Sequence, residues 1–392
     1  PPAPASTIAH PDFAILDLVT DNITAAVQGL DNTTYLRGWN QHDYFYFVNV
    51  SAGGLTLDYL MHLDNTNSQF SYWEQQVAIA LRTGYPYYLR EMASAGPIGL
   101  PNITDTFGAS LWTLNFFLYA ATLNISMVGI HMTDNSWAAP WQPTQKYGLD
   151  PHVRPSYYAF AAMAQIIGNG NGTTQIQTLI SPGALPAEYN GYVREYAVYG
   201  HGNLTGLVLI NSRLANASDT DKSGLVFNIN LPDYRDQTLY LSYLTADGGD
   251  SLSGTLWNNI SFETNGDGTP TGFNYNPETV QVSSNGTASI TVRDSQAVVA
   301  NFGWVLGANQ VLLANGTAAS NSKTSSASSS SSGVIVATIS GVATTIGAVA
   351  SSTGGPDQPR GASNHVDMGD VLFTVGIGFA SFIAGGVLLQ AL

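Results

Sequence analysis

The sequence predicts an α/β unit followed by an all-β unit: βα repeats forming a parallel sheet or barrel, then an antiparallel β-sandwich, then a disordered Ser-rich tail. Three observations carry this. Up to about residue 167, apolar residues at helical spacing alternate with short, strand-like aromatic runs. From about residue 175 to 304 the apolar period falls to two. Beyond that, serine and small residues replace the periodic pattern.

In the first unit, residues 11–28 place Phe13, Leu16, Val19, Ile23 and Val27 on one helical face. Residues 35–46 read as an aromatic strand, and 70–82 as an amphipathic helix closed by Gly84 and Pro86. A short strand at 87–90 ends on Glu91. Residues 104–123 form a long apolar helix with Thr104 or Asp105 as its cap. Its surroundings, 106–133, carry no charge and are long enough to span a bilayer. Asn115, Asn124 and the strand-like end at Val128 break that pattern and favour a helix packed outside a parallel barrel. A strand follows at 125–131. The last helix, 155–167, has Pro155 near its start and Gly168 past its end.

In the second unit, runs at 192–199, 204–210, 225–231, 238–244 and 288–302 alternate as strands do, separated by turn signals at 247–249, 265–268 and 285–286. The tail then divides. Residues 321–332 read as a flexible, O-glycosylated stalk. Residues 371–392 are uncharged to the end of the chain. The small residues Gly361, Ala362 and Ser363, a polar spacer and this apolar end have the layout of a GPI-attachment signal with Gly361 as the acceptor. The alternative is a transmembrane anchor; no basic residue follows the apolar run, which favours GPI.

Composition narrows the function. Lysine and arginine number 12 against 27 acidic residues, a net charge of −15, which argues against nucleic acid as a partner. There is no cysteine, hence no disulfide framework and no thiolate chemistry. Asn-X-Ser/Thr sequons at Asn22, Asn32, Asn49, Asn102, Asn124, Asn171, Asn203, Asn216, Asn259, Asn285 and Asn315 point to a secretory route and a cell-surface or secreted glycoprotein. Asn124, inside an apolar region, is the weakest of them. The chain begins with Pro1 and Pro2, so the expectation is a processed protein or, preferably, a fragment of a longer one.

For chemistry, the seven histidines are scattered, with no pair spaced to hold a metal, and no phosphate-binding glycine loop is present, so neither a metal nor a cofactor is expected. Ser94 lacks the first glycine of a nucleophile elbow. Residues 1–168 contain only two glutamates. Glu74 sits beside Gln75 and Gln76 on a helix and reads as solvated. Glu91 ends a strand, and in a βα barrel the strand C-termini surround the active site, so it is a candidate nucleophile or base. The alternative is a core ion pair with Arg90 or Arg82.

Residues 88–94, followed by 103–112, resemble glycoside hydrolase family 79 in its fungal β-glucuronidase and heparanase-like branch. In order, 41–44, 141–143, 151–158 and 291–299 also resemble family segments. The resemblance covers roughly residues 1–304. It implies a partial (β/α)8 TIM barrel over 1–170, comprising strands five or six to eight, and a β-sandwich over 171–305; composition alone adds a Ser/Thr-rich linker over 306–370 and the hydrophobic tail over 371–392. The resemblance implies a retaining glycosidase for β-glucuronides of glycans, with Glu91 as nucleophile and a second carboxylate about 5–5.5 Å away as acid and base. It further implies that His42 and Tyr44 orient Glu91, that His131 lines the same mouth, that Trp141 stacks on a sugar face, and that Lys146, Tyr147 and Arg154 meet the substrate carboxylate. Packing roles are the alternatives for His42 and Trp141, and solvation for the basic residues. Two departures stand out. Arg90 and Met92 flank Glu91 where the family has Gly and Thr, and no Asn-Glu dipeptide, the family's acid/base signature, occurs in the chain. The expected partner is therefore a uronic-acid-containing carbohydrate, with the N-terminal barrel half missing and membrane contact only through the tail. The rival expectations are a catalytically inactive surface glycoprotein or glycan-binding module, and an enzyme of another sugar preference.

Overall fold

A computed structural model describes residues 38–48, 54–168, 172–179, 185–272, 277–306, 336–339 and 342–344. The helix expected at 11–28 and the tail from residue 345, Gly361 included, lie outside the described residues, as do Asn22, Asn32, Asn49, Asn171 and Asn315.

The first unit is built on three parallel strands, β1 (Trp39–Phe47), β2 (Tyr87–Gly96) and β3 (Ile125–Ile130), adjacent in that order. Among the described residues the sheet is open and no barrel closes. Two helices connect β1 to β2. The five-residue α1 (Leu57–Met61), too short to show a period, starts where the Thr56 hydroxyl accepts from the Tyr59 amide; α2 (Leu63–Leu81) extends the expected helix towards its N-terminus. Between β2 and β3 runs α3 (Phe107–Thr122). Its cap is Thr106, not Thr104 or Asp105, because the Thr104 hydroxyl is occupied by the turn before it, accepting from the Leu100 amide at 2.8 Å.

Phe45 explains how these helices seat. Its ring meets Phe70 and Trp73 of α2 and Trp112 and Phe116 of α3 with centroids 5.1 to 6.0 Å apart. One face of β1 is thus covered by both helices. The apolar stretch weighed as a membrane span is this core helix, buried along most of its length. No helix among the described residues is long and apolar enough to cross a membrane.

After β3 the chain forms a two-stranded ribbon, β4 (Trp141–Gln142) with β5 (His152–Val153), and then α4 (Ser156–Gly168), which packs on α3. The second unit is a sandwich. One sheet follows the path β11 (Leu256–Trp257), β10 (Thr238–Thr245), β14 (Gln296–Phe302), β8 (Asn203–Asn211), β7 (Val193–Gly200) and β6 (Gln175–Thr178), with β12 (Glu278–Gln281) also on β10. The other runs β13 (Thr287–Arg293), β9 (Gly224–Asn230), β15 (Val336–Ile339) and β16 (Val342–Thr344). All of these pairings are antiparallel, as the period of two predicts.

One expectation is corrected here. The run 288–302 is two strands, not one: a turn at Asp294 and Ser295, the latter at φ 54°, carries the chain from the sheet of β9 to the sheet of β8. Asp294 is buried there and is held by Asn211 and the Arg213 guanidinium. β15 and β16, within 306–370, pair with each other and β15 with β9.

The two units share one apolar core, in which Phe116 and Phe160 are continuous with Tyr196, Val208 and Ile210 of the sandwich. Polar seams complete it. The Tyr196 hydroxyl donates to Asn115 Oδ1 at 2.7 Å, and the Trp257 indole donates to Gln165 Oε1 at 2.7 Å. The loop after β10 serves α3 directly: the amides of Phe107 and Gly108, free at a helix start, donate to Ser251 and Gly249 carbonyls at 2.8 and 2.7 Å. The six described sequon asparagines, Asn102, Asn124, Asn203, Asn216, Asn259 and Asn285, are all exposed. Asn124 stands on the turn between α3 and β3 at φ 59°, clear of the apolar region that made it doubtful.

Candidate active site

The strand bearing Glu91 does not stop there. It continues five residues further, to Gly96, so Glu91 lies within β2 rather than at its end. What places Glu91 near a rim is its neighbour: Ile130, the last residue of β3, pairs with Met92 and the His131 amide donates to the Met92 carbonyl at 2.7 Å, so β3 ends one residue past Glu91 while β1 and β2 run on.

A bulge sets the direction of the side chain. Gln41 pairs with Leu89, and the next pair is His42 with Glu91, which leaves Arg90 as the extra residue of β2. Leu89 and Met92 are fully buried in the core beneath the helices. In a regular strand Glu91 shares the face of Leu89 and would be driven into that core. The extra residue turns Glu91 to the opposite face. His42 and Tyr44, two apart in β1, share a face with each other and converge on it.

The bulge is itself supported. The Arg90 amide, displaced from the ladder, donates to the side chain of Asn40 at 2.9 Å, and Asn40 is 1% exposed. On the β3 side Gly129 lies so close that a Cβ would stand 2.6 Å from the Arg90 carbonyl oxygen. Asn40 and Gly129 escaped the sequence reading. The one available signal was an asparagine inside an otherwise aromatic strand.

The resulting geometry is compact. The Tyr44 hydroxyl donates to Glu91 Oε1 at 2.6 Å, and His42 Nδ1 lies 3.4 Å from Oε2. The Glu91 side chain keeps 37% of its surface open to solvent and His42 25%. His131 meets the Tyr44 ring edge-on at 6.1 Å. Gly96 makes room for Tyr44, since a Cβ there would come within 2.8 Å of the ring. Burial, and then the hydrogen bond to Glu91, push the Tyr44 phenol well above its ordinary value of 10.0, so it stays protonated and keeps donating at neutral pH.

Tyr46, Tyr119, Tyr158, Tyr196 and Tyr243 are raised for the same leading reason, burial. In the unfolded chain a tyrosine loses its proton near 10.0, whereas these hold theirs to higher pH. Above that value the folded protein binds more protons than the unfolded one, so stability falls as pH rises. The melting temperature is expected to be insensitive to tyrosine ionisation below about pH 9 and to drop progressively above about pH 10. A thermal-melt series across that range checks this.

The remaining candidates divide. His42, Tyr44 and His131 gather at Glu91. Lys146 pairs with Asp134 at 3.3 Å, and the Tyr147 hydroxyl donates to the Asn135 carbonyl at 2.9 Å. The Trp141 indole N–H points at the sandwich, donating to the Gly266 carbonyl at 2.8 Å. Arg154 is corrected outright as a ligand for a substrate carboxylate. It is 2% exposed, with its guanidinium committed to Ala139 O at 3.1 Å and Gln142 Oε1 at 2.6 Å. The ion-pair alternatives for Glu91 are not the arrangement found: Arg82 Nε donates to the Ala78 carbonyl, and the Arg90 guanidinium lies over the Tyr88 ring at 5.2 Å. Glu74, expected to be solvated, is exposed and accepts from the Tyr119 hydroxyl at 2.7 Å. Among the described residues no cluster of three His, Asp or Glu side chains is arranged to hold a metal.

Comparison with known proteins bears on the family relationship and the fold. Residues 195–299 match the glycosyl hydrolase family 79 C-terminal beta domain. A beta-glucuronidase from Neurospora crassa is 25% identical over 267 residues, covering 62% of this chain and 48% of that protein. One from Aspergillus niger is 25% identical over 273 residues, covering 64% and 48%. The chain thus spans about half the length of the curated relatives it matches. Among solved structures, a 4-O-alpha-L-rhamnosyl-beta-D-glucuronidase from Fusarium oxysporum shares the fold with a TM-score of 0.58 at 23% identity, over 75% of this chain and 57% of that one.

Proposed function

From the premise that this chain carries a family 79 C-terminal beta domain and is a distant homologue of fungal beta-glucuronidases, we propose that it is the C-terminal part of a retaining glycoside hydrolase acting on β-glucuronides. The three parallel strands are then the last strands of a (β/α)8 barrel, and Glu91 is its nucleophile. The observation that carries this is the bulge at Arg90, which turns a partly exposed carboxylate out of the core and onto a tyrosine hydroxyl 2.6 Å away.

The chemistry proceeds in two displacements. A Glu91 carboxylate oxygen attacks the anomeric carbon as the bond from that carbon to the leaving oxygen breaks, and an acid protonates the departing oxygen. Water, deprotonated by the same group, then attacks the anomeric carbon and frees Glu91. Tyr44 and His42 hold the carboxylate in line, which lowers the cost of reaching the reactive geometry. On this reading the second carboxylate comes from outside this chain, which matches 48% of the Neurospora crassa relative and contains no Asn-Glu dipeptide. The lack of that dipeptide is also what favours the second reading, a catalytically silent glycan-binding surface protein.

The full-length protein is expected to release glucuronic acid from an aryl β-glucuronide with net retention at the anomeric carbon, followed by proton NMR. Inversion, or turnover of β-glucosides in preference to β-glucuronides, would contradict the reading. We also propose a secreted or cell-surface location, reached through the secretory route and held by the GPI signal at Gly361; the exposure of every described sequon supports the route. A chain that shows no mass shift on enzymatic removal of N-glycans after passage through a eukaryotic secretory host would count against it.

A further inference from the structure

Between β3 and α4 the chain makes a two-residue hairpin turn whose tip breaks a steric rule. Lys146 and Leu149 exchange backbone hydrogen bonds at 3.0 and 2.9 Å, and the residues between them, Tyr147 and Gly148, have φ of 55° and 74°. Such turns are the province of Asn-Gly, because a side chain at positive φ crowds its own carbonyl. A bulky aromatic residue there is strained and persists only when its surroundings over-determine it.

Those surroundings hold the ring rather than bury it. The Tyr147 ring stacks on Trp137, centroids 4.7 Å apart and planes 17° from parallel, and its hydroxyl proton is committed to the Asn135 carbonyl. Beneath Trp137 lies the buried Arg154 guanidinium, 5.8 Å from the ring. Yet Tyr147 remains 46% exposed and Leu149 43%, two of the five large apolar side chains left open among the described residues. The loop is tied to the rim that bears Glu91. It leaves β3 at His131, against Tyr44, and the Trp137 amide donates to the Ile98 carbonyl just past the end of β2 at 2.6 Å.

We infer that the outer face of Tyr147 is a stacking platform for a pyranose ring, binding the sugar that neighbours the glucuronosyl residue in a glycan. A pyranose presents an apolar face of C–H groups that a flat, rigid, partly exposed aromatic ring accepts without an ordering cost. Lys146, the preceding residue of the turn, 39% exposed at its side chain and paired with Asp134, meets the hydroxyl edge of that sugar. The expectation from sequence was that Tyr147 meets the substrate carboxylate; this proposal gives its ring a different role. The identity of the neighbouring glucuronosyl residue rests on the proposed function above; the platform itself does not.

The test is a binding titration of the full chain with methyl β-glucuronide and with a β-glucuronosyl-galactose disaccharide, read by tryptophan fluorescence and calorimetry. The wild-type chain is expected to bind the disaccharide about tenfold more tightly. In Tyr147→Asn, which suits the turn and so preserves the fold, that preference should vanish; in Tyr147→Trp it should be retained. Equal affinity for the two sugars in the wild type, no binding of the disaccharide, or a preference that survives in Tyr147→Asn would each overturn the platform. Glu91→Gln in the same titration separates the two claims. It should leave the preference intact, and a Glu91→Gln enzyme that still turns over substrate would sink the nucleophile while leaving the platform standing.

Discussion

Glu91→Gln in the full-length protein is expected to lower turnover of an aryl β-glucuronide by on the order of a thousandfold or more, with folding unchanged. The amide is isosteric, accepts the Tyr44 hydrogen bond in place of Oε1 and fits the same bulge, but it has no charged oxygen with which to attack. Tyr44→Phe makes the contrast. It keeps the Glu91 carboxylate and removes the 2.6 Å hydrogen bond that fixes it, so the loss in kcat should be nearer 10- to 100-fold. Steady-state kinetics on both variants, with circular dichroism to confirm the fold, decide it. Equal and small effects would mean that this cluster is structural.

Phe45→Ala is expected to destabilise the protein by about 3–5 kcal/mol, a large share of the ~5–15 kcal/mol that holds a typical domain. Phe45 is 6% exposed and is the point at which β1, α2 and α3 meet, in contact with Phe70, Trp73, Trp112 and Phe116. Removing the ring leaves a cavity between rigid neighbours that collapse only in part. It also loosens the strand that carries Tyr44 at the preceding position. Urea unfolding should show a lower midpoint with an unchanged slope; a loss under 1 kcal/mol would mean that the helices are seated by something else.

How much of this was legible in the sequence depends on the range of the interaction. The sandwich strands announce themselves because burial on one face imposes a period of two on each strand separately. Glu91 was visible as a lone acid in an apolar, aromatic setting. The reason it faces outward was not, because a bulge is a property of two paired strands: Arg90 looks like any other strand residue until Gln41 and His42 are set beside Leu89 and Glu91. The turn at Asp294 and Ser295 was hidden similarly, since the alternation continues through it and the two halves differ only in the sheet they join. Arg154 was misjudged because burial of a cation depends on acceptors, Ala139 and Gln142, that a loop brings together only in three dimensions. Tyr147 was noticed as a partner for a substrate carboxylate, while its positive φ and stacked ring are conformational and leave no mark on composition.

The proposed nucleophile can be tested by trapping. A fluorinated glucuronosyl fluoride forms a long-lived glycosyl-enzyme, and its fluoride departs without help from an acid, so the trap reports on the attacking residue alone. Peptide mass spectrometry of the full-length protein after such labelling should find the sugar ester-linked to Glu91. Labelling of a different carboxylate, or of none, would contradict the account.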